Sequence, residues 1–176
     1  MEPMSSSGAH PQKGVKTSVV ARASLSSDAV AKISNELRQL LADVFALYLK
    51  TKNFHWHMTG THFRDYHLLL DEQGDQIFAM TDDIAERARK IGGTTLRSIS
   101  DIKQHQRLKD SNETALTGQD MLRELSVDNQ QLTGYLRAAH EICSQNGDVA
   151  TTSMIEVWID QTERRHWFLS QTAGEP

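Results

Sequence analysis

The stretch "FHWHMTGTHFRDYHLLLD", residues 54–71, holds His55, His57, His62 and His67, half of the chain's eight histidines. Neutral imidazole is a common metal ligand, so the cluster raises metal binding before any other chemistry. Carboxylates follow it in "DEQGDQIFAMTDDIAERA". On a helical wheel His67, Asp71, Asp82 and Glu86 fall at roughly 0°, 40°, 60° and 100°, with Asp75 at about 80° on the same face. His67 with Asp71, and Asp82 with Glu86, are i, i+4 pairs, and each pair can supply half of a metal site.

The two halves cannot meet on one straight helix. Asp71 and Asp82 are eleven residues apart, roughly 16 Å along the axis, whereas a metal ligand sits about 2 Å from its ion. An antiparallel second copy of the helix would set His67 and Asp71 of one chain beside Asp82 and Glu86 of another. A twofold dimer supplies that arrangement and makes two identical sites. His55, ahead of the break at Gly60, is free to join from the end of the preceding helix. Mixed imidazole and carboxylate ligands suit iron, manganese or zinc, and the absence of thiolate favours iron-type redox chemistry. The bland alternative is a solvated helix face whose acids pair with Arg87, Arg89 and Lys90.

The elements that must position these residues are helices. Val30, Ile33, Leu37, Leu40, Leu41, Val44, Phe45 and Tyr48 keep helical spacing after a cap at Ser26 or Ser27. A second helix runs from about Thr61 to Ile91 and is stopped by Gly92 and Gly93. A polar connection follows, with a short helical turn expected near Ile102 to Arg107. A third helix starts near Thr117 and breaks at "NGD", 146–148, and a fourth continues to about Gln171. No stretch alternates as strands do, and no internal repeat is evident. Two helices, a long link and two more helices predict an all-α, ferritin-like four-helix bundle with a long crossover connection carrying a short helix.

Composition narrows the classes further. A chain of 176 residues suits one domain. The reading is a tail over 1–25, the bundle over 26–172 and a short C-terminal tail over 173–176. Residues 1–24 lack the apolar run of a secretory signal despite "VARAS", and no stretch is apolar enough to span a membrane. The single cysteine, Cys143, excludes an internal disulfide framework and suits a reducing, cytoplasmic setting. A formal charge of −4 argues against a uniformly basic nucleic-acid surface. The tail itself is mildly basic, with Lys13, Lys16 and Arg22 against Glu2. Many such tails on one assembly could contact DNA phosphates by avidity; a plain disordered tail is the other reading.

Three segments, "FHWHMTGTHFRDYHLLLDEQ", "DDIAERARKIGG" and "WIDQTERRHWFLSQ", resemble the Dps family, the DNA-protection-during-starvation branch of the ferritin-like superfamily. The resemblance spans about residues 26–172. It implies a dodecameric cage that oxidises ferrous iron, usually with hydrogen peroxide, and stores ferric mineral. The ferroxidase centre would be dinuclear and lie at the twofold interface. Matched motif by motif, the iron ligands and catalytic residues are His55, His67, Asp71, Asp82 and Glu86. His57 takes a position often held by Asn and is expected beside the ligands rather than among them, as is Trp56. The resemblance also implies protection of DNA and a stress-response role. The alternative function is a DNA-compacting nucleoid protein with secondary iron chemistry.

Several other signals are set aside. Glu163 and His166 form one E-x-x-H, where single-chain di-iron bundles carry two. His62, His105 and His140 read as surface or interface residues, and Cys143 as core. Ser153 stands where relatives often carry a pore aspartate, leaving Asp148 and Glu156 as substitutes for that role.

Overall fold

The computed structural model describes residues 25–174, and within them all regular structure is helical. The order is α1 (Ser27–His57), α2 (Phe63–Lys90), α3 (Ile99–His105), α4 (Gly118–Gln145) and α5 (Val149–Thr172). The basic tail with Lys13, Lys16 and Arg22 lies outside the described residues. Helices α1 and α2 form one antiparallel hairpin, α4 and α5 form another, and α1 packs on α4 to join them. Short α3 rides on α1 within the crossover. No described helix is long and apolar enough to cross a membrane.

Each start has a local cause. Ser26 caps α1 by accepting from the Ala29 N–H, and Thr117 and Asp120 make a reciprocal capping box at α4. Helix α3 begins three residues earlier than the apolar pattern indicates, because the Ser98 hydroxyl accepts from the Asp101 N–H at 3.1 Å. It also ends earlier. The N–H groups of Arg107 and Leu108 turn instead to the Asp43 carboxylate, at 2.6 and 3.0 Å. Helix α2 is the exception: it begins at Phe63, two residues after Thr61, and no side chain caps it at His62.

The core is the stripe that the periodicity outlines. Ile33, Leu37, Leu40 and Val44 of α1 meet Leu70, Ile77 and Ile84 of α2, with Leu125, Leu132 and Leu136 of α4 closing the centre. Val30, Phe45, Tyr48 and Leu69 are only partly buried at its edge, as are Leu25 and Ile159, while Ala173 is enclosed. Polar groups inside are paired across helices. Lys50 of α1 donates to Asp128 of α4 at 2.8 Å and lies 3.1 Å from Glu124. Burial outweighs that ammonium and pushes the Asp128 carboxyl above its usual range.

The far end of the first hairpin depends on a close approach. A Cβ on Gly93 would lie 1.7 Å from the Ser34 hydroxyl oxygen and 2.6 Å from Ser34 Cβ. Gly93→Ala should therefore destabilise the fold by about 1–3 kcal/mol, the usual range for overpacking. A denaturant melt tests this, and Ser34→Gly in the same chain should recover part of the loss. Equal stability of Gly93→Ala and wild type would mean that the two helices separate there freely.

Candidate metal centre

The last turn of α1 and the first turns of α2 bring His55, His67 and Asp71 together. The two imidazoles stack with ring centroids 3.7 Å apart and planes 20° from parallel. Nδ1 of His55 lies 2.9 Å from the His67 carbonyl oxygen, and Nδ1 of His67 lies 2.9 Å from the His55 carbonyl. A carbonyl only accepts, so each Nδ1 carries a proton, and in the neutral ring each Nε2 keeps its lone pair. Reciprocal bonds thus fix both tautomers and both ring orientations in the form that can ligate a metal. Nε2 of His55 points toward Asp71, 3.7 Å from its Oδ1. The end of α1 also carries the negative pole of that helix, which favours a cation.

Lys52 is the residue that sequence reasoning missed. Its ammonium donates to Asp71 Oδ1 at 2.6 Å, on the oxygen that faces His55. That contact holds the Asp71 carboxyl below the usual carboxylate range, with a small opposing effect of desolvation. The stem of Lys52 crosses α2 at Gly74, where a Cβ would meet Lys52 Cδ at 3.0 Å. A faint signal existed: Lys52 is three residues before His55, on the same face of α1. Its target, however, depends on how α1 and α2 align.

A cation that occupies this carboxylate competes with a metal for it. Lys52→Gln should tighten binding of a divalent metal at this half-site by about tenfold, because Asp71 then has no ammonium to release. Anaerobic titration with ferrous iron measures the change; unaltered affinity would show that Lys52 and metal do not compete. Asp71 does not lose its charge in the same way through pH. Its folded-state pKa is lowered, so the stabilisation it draws from Lys52 is full above its unfolded-state pKa. It is lost only as pH falls through the lowered folded value.

Asp82 and Glu86 lie farther along α2 and are exposed. Glu86 pairs with Lys90 at 2.8 Å, which lowers its carboxyl pKa. Among the described residues, no group of three or more His, Cys, Asp or Glu is placed to hold a metal ion within the single chain. The structure brings His55, His67 and Asp71 near one another and leaves Asp82 about three and Glu86 about four helical turns from Asp71 on the same α2. Of the basic residues that could have neutralised the acidic stripe, Lys90 does so for Glu86. Arg87 instead reaches α5 and donates to Asp148 at 2.5 Å and to the Thr151 hydroxyl at 2.7 Å.

The neighbours of the half-site differ in exposure. Trp56 is 60% exposed, and His57 is exposed with its Nδ1 2.8 Å from the Asn53 carbonyl. His62 lies against Tyr66, with ring centroids 5.5 Å apart. His105 bonds to the Asp101 carbonyl and His140 pairs with Glu156.

The E-x-x-H pair is split between different partners. Glu163 binds Arg137 at 2.6 Å, and His166 meets Ser126. Cys143 is fully buried, and burial pushes its thiol up to about 12, so it is neither a ligand nor a reactive nucleophile. One expectation is overturned. Asp148 does not serve as a pore carboxylate: it is 4% exposed, caps α5 through the Thr151 N–H and is tied to Arg87. Its charge is consumed in joining α2 to α5. Glu156 is exposed, with His140 3.0 Å away.

Comparison with known proteins gives a consistent result. Residues 34–175 match the family described as a ferritin-like domain. The chain is 28% identical over 137 residues to DNA protection during starvation protein 1 of Deinococcus radiodurans, covering 78% of this chain and 66% of that protein. It thus spans about two thirds of that relative's length. It is 30% identical over 151 residues to the DNA protection during starvation protein of Agrobacterium fabrum, covering 86% of this chain and 93% of that one. Among solved structures, Dps from Thermosynechococcus elongatus superposes with a TM-score of 0.80 at 27% identity, over 83% of this chain and 92% of that one.

Proposed function

Because the chain belongs to the Dps family of the ferritin-like superfamily, we propose that it oxidises ferrous iron at a centre shared by two copies and stores the ferric product. The observation that carries this is the preset half-site. The His55 and His67 rings are stacked and tied through Nδ1, Nε2 of His55 lies 3.7 Å from Asp71, and the other acidic pair of α2 lies too far along that helix to reach the same ion. A twofold partner would bring its own Asp82 and Glu86 to that half-site. Extended by further contacts between copies, such dimers would close into the hollow dodecameric shell of the family.

In this reading iron is the substrate and the protein supplies geometry and charge. Asp71, Asp82 and Glu86 would offset the charge of two ferrous ions, while the neutral imidazoles leave positions open to the oxidant. Each ion gives one electron to a hydrogen peroxide molecule. The O–O bond breaks, two protons are taken up and two waters form, so no hydroxyl radical is released. Sparing DNA from that radical would be one form of the DNA protection that the relatives' names state. Tail residues Lys13, Lys16 and Arg22 would add a second route to DNA, through phosphate contacts sensitive to salt.

The test is ferric absorbance after mixing ferrous iron and peroxide with iron-free protein. Wild type should show a rapid phase well above the protein-free rate. Asp82→Ala with Glu86→Ala should lack it; an unchanged rate would falsify the assignment of those two residues. A gel-shift with full-length and tail-deleted protein separates the iron role from DNA binding.

A further inference from the structure

At the opposite end of the α1–α2 hairpin from the histidines, a cleft of about 440 Å³ opens between α1 and the chain leaving α2. Arg38, Arg89 and Arg97 line it with Ser34, Gly93 and Thr94, and no carboxylate lines it. None of these three guanidiniums has a carboxylate partner among the described residues. Arg89 donates to the Gly93 carbonyl at 2.6 Å, and the nearby Asp101 carboxylate is turned to the backbone N–H of Arg97. Arg87, Arg107 and Arg137, by contrast, pair with Asp148, Asp43 and Glu163.

The corner is also short of hydrogen-bond partners. Five buried side-chain nitrogen or oxygen atoms are without one among the described residues; two of them, Arg38 Nε and Ser34 Oγ, belong to residues lining the cleft, and a third, Thr95 Oγ1, to the residue after the lining Thr94. Ser34 is only 4% exposed. Buried donors left unpaired are costly and are normally satisfied by protein, water or ligand. Three uncompensated guanidiniums around one opening, with hydroxyls at its wall, are the donor set that recognises a tetrahedral oxyanion.

The geometry points to a binding site for a phosphate dianion, supplied as inorganic phosphate or as the terminal group of a phosphate monoester. Its charge would be met by Arg38, Arg89 and Arg97 together. The cleft falls within the size range of small-molecule sites, so a group esterified to the phosphate also has room. The site shares no residue with the proposed iron half-sites, and its occupancy does not depend on metal.

Calorimetric titration of iron-free, full-length protein with inorganic phosphate, in chloride buffer at fixed ionic strength, tests the proposal. Saturable binding at about one phosphate per chain is expected. Arg97→Gln and Arg89→Gln each alter an exposed side chain and should each weaken binding about tenfold, with the helical circular dichroism unchanged. Sulfate should compete. Adenosine monophosphate should bind where adenosine does not, which identifies the phosphate as the recognised group. Absence of saturable binding overturns the proposal, as does affinity unchanged in both variants. Binding of a short DNA duplex without binding of phosphate would also overturn it, in favour of a phosphodiester surface.

Discussion

A one-to-one mixture of two inactive variants, refolded or co-expressed together, should recover about a quarter of the wild-type rate of ferrous oxidation. One variant carries His67→Ala and Asp71→Ala; the other carries Asp82→Ala and Glu86→Ala. In a twofold dimer each centre takes one half from each chain. Random pairing makes about half of the dimers mixed, and in each of these one centre collects both damaged halves. The other centre collects both intact halves, hence about one working centre in four. A centre contained within one chain would recover nothing. Stopped-flow absorbance of the two variants separately, and then of the mixture, decides between these outcomes. The recovery is unusually diagnostic because simple loss of stability in either variant cannot produce it.

The second large effect concerns stability. Asp43→Ala should lower the unfolding free energy by about 3–5 kcal/mol, the range for removing one partner of a buried charge pair. Asp43 is fully buried on α1. One oxygen accepts the N–H groups of Arg107 and Leu108, and the other accepts from Arg107 Nε at 2.8 Å. Nη2 of Arg107 lies 2.7 Å from the same second oxygen. The guanidinium also stacks 3.9 Å above the Tyr135 ring of α4. One carboxylate thus pins the crossover to both hairpins. Its removal strands two backbone donors and a cation that are partly shielded from water. Asp43→Asn keeps an acceptor and should lose less. Urea melts of the three proteins give the comparison, and a loss below about 1 kcal/mol for Asp43→Ala would mean that the crossover is held elsewhere.

The bundle was readable because helical period, caps and glycine stops are local signals. Ser26, Thr117 and the "NGD" break act within a few residues of themselves. The half-site was partly readable for the same reason, since His67 and Asp71 share a helix face by spacing alone. The residues that sequence missed or misplaced act across the fold. Lys52 meets Asp71 over a separation of 19 residues, and Asp43 meets Arg107 over 64. Arg87 and Asp148 are 61 apart, and their contact is what removes Asp148 from the candidate pore. No spacing rule reaches such pairs, because they depend on how one helix is rotated against another. The arginine cleft was illegible likewise: its residues belong to two segments that become neighbours only when the hairpin closes at Gly93.

The mutual bonds between the imidazoles of His55 and His67 have a consequence for regulation. Each ring is hung from the other's backbone, so neither tautomer nor rotamer must change when an ion arrives or leaves. The contact an arriving ion would have to displace is instead the Lys52 ammonium on Asp71 Oδ1. On the proposed function, what a loaded hairpin would show to a protein touching it from outside is a released lysine side chain rather than a moved ring.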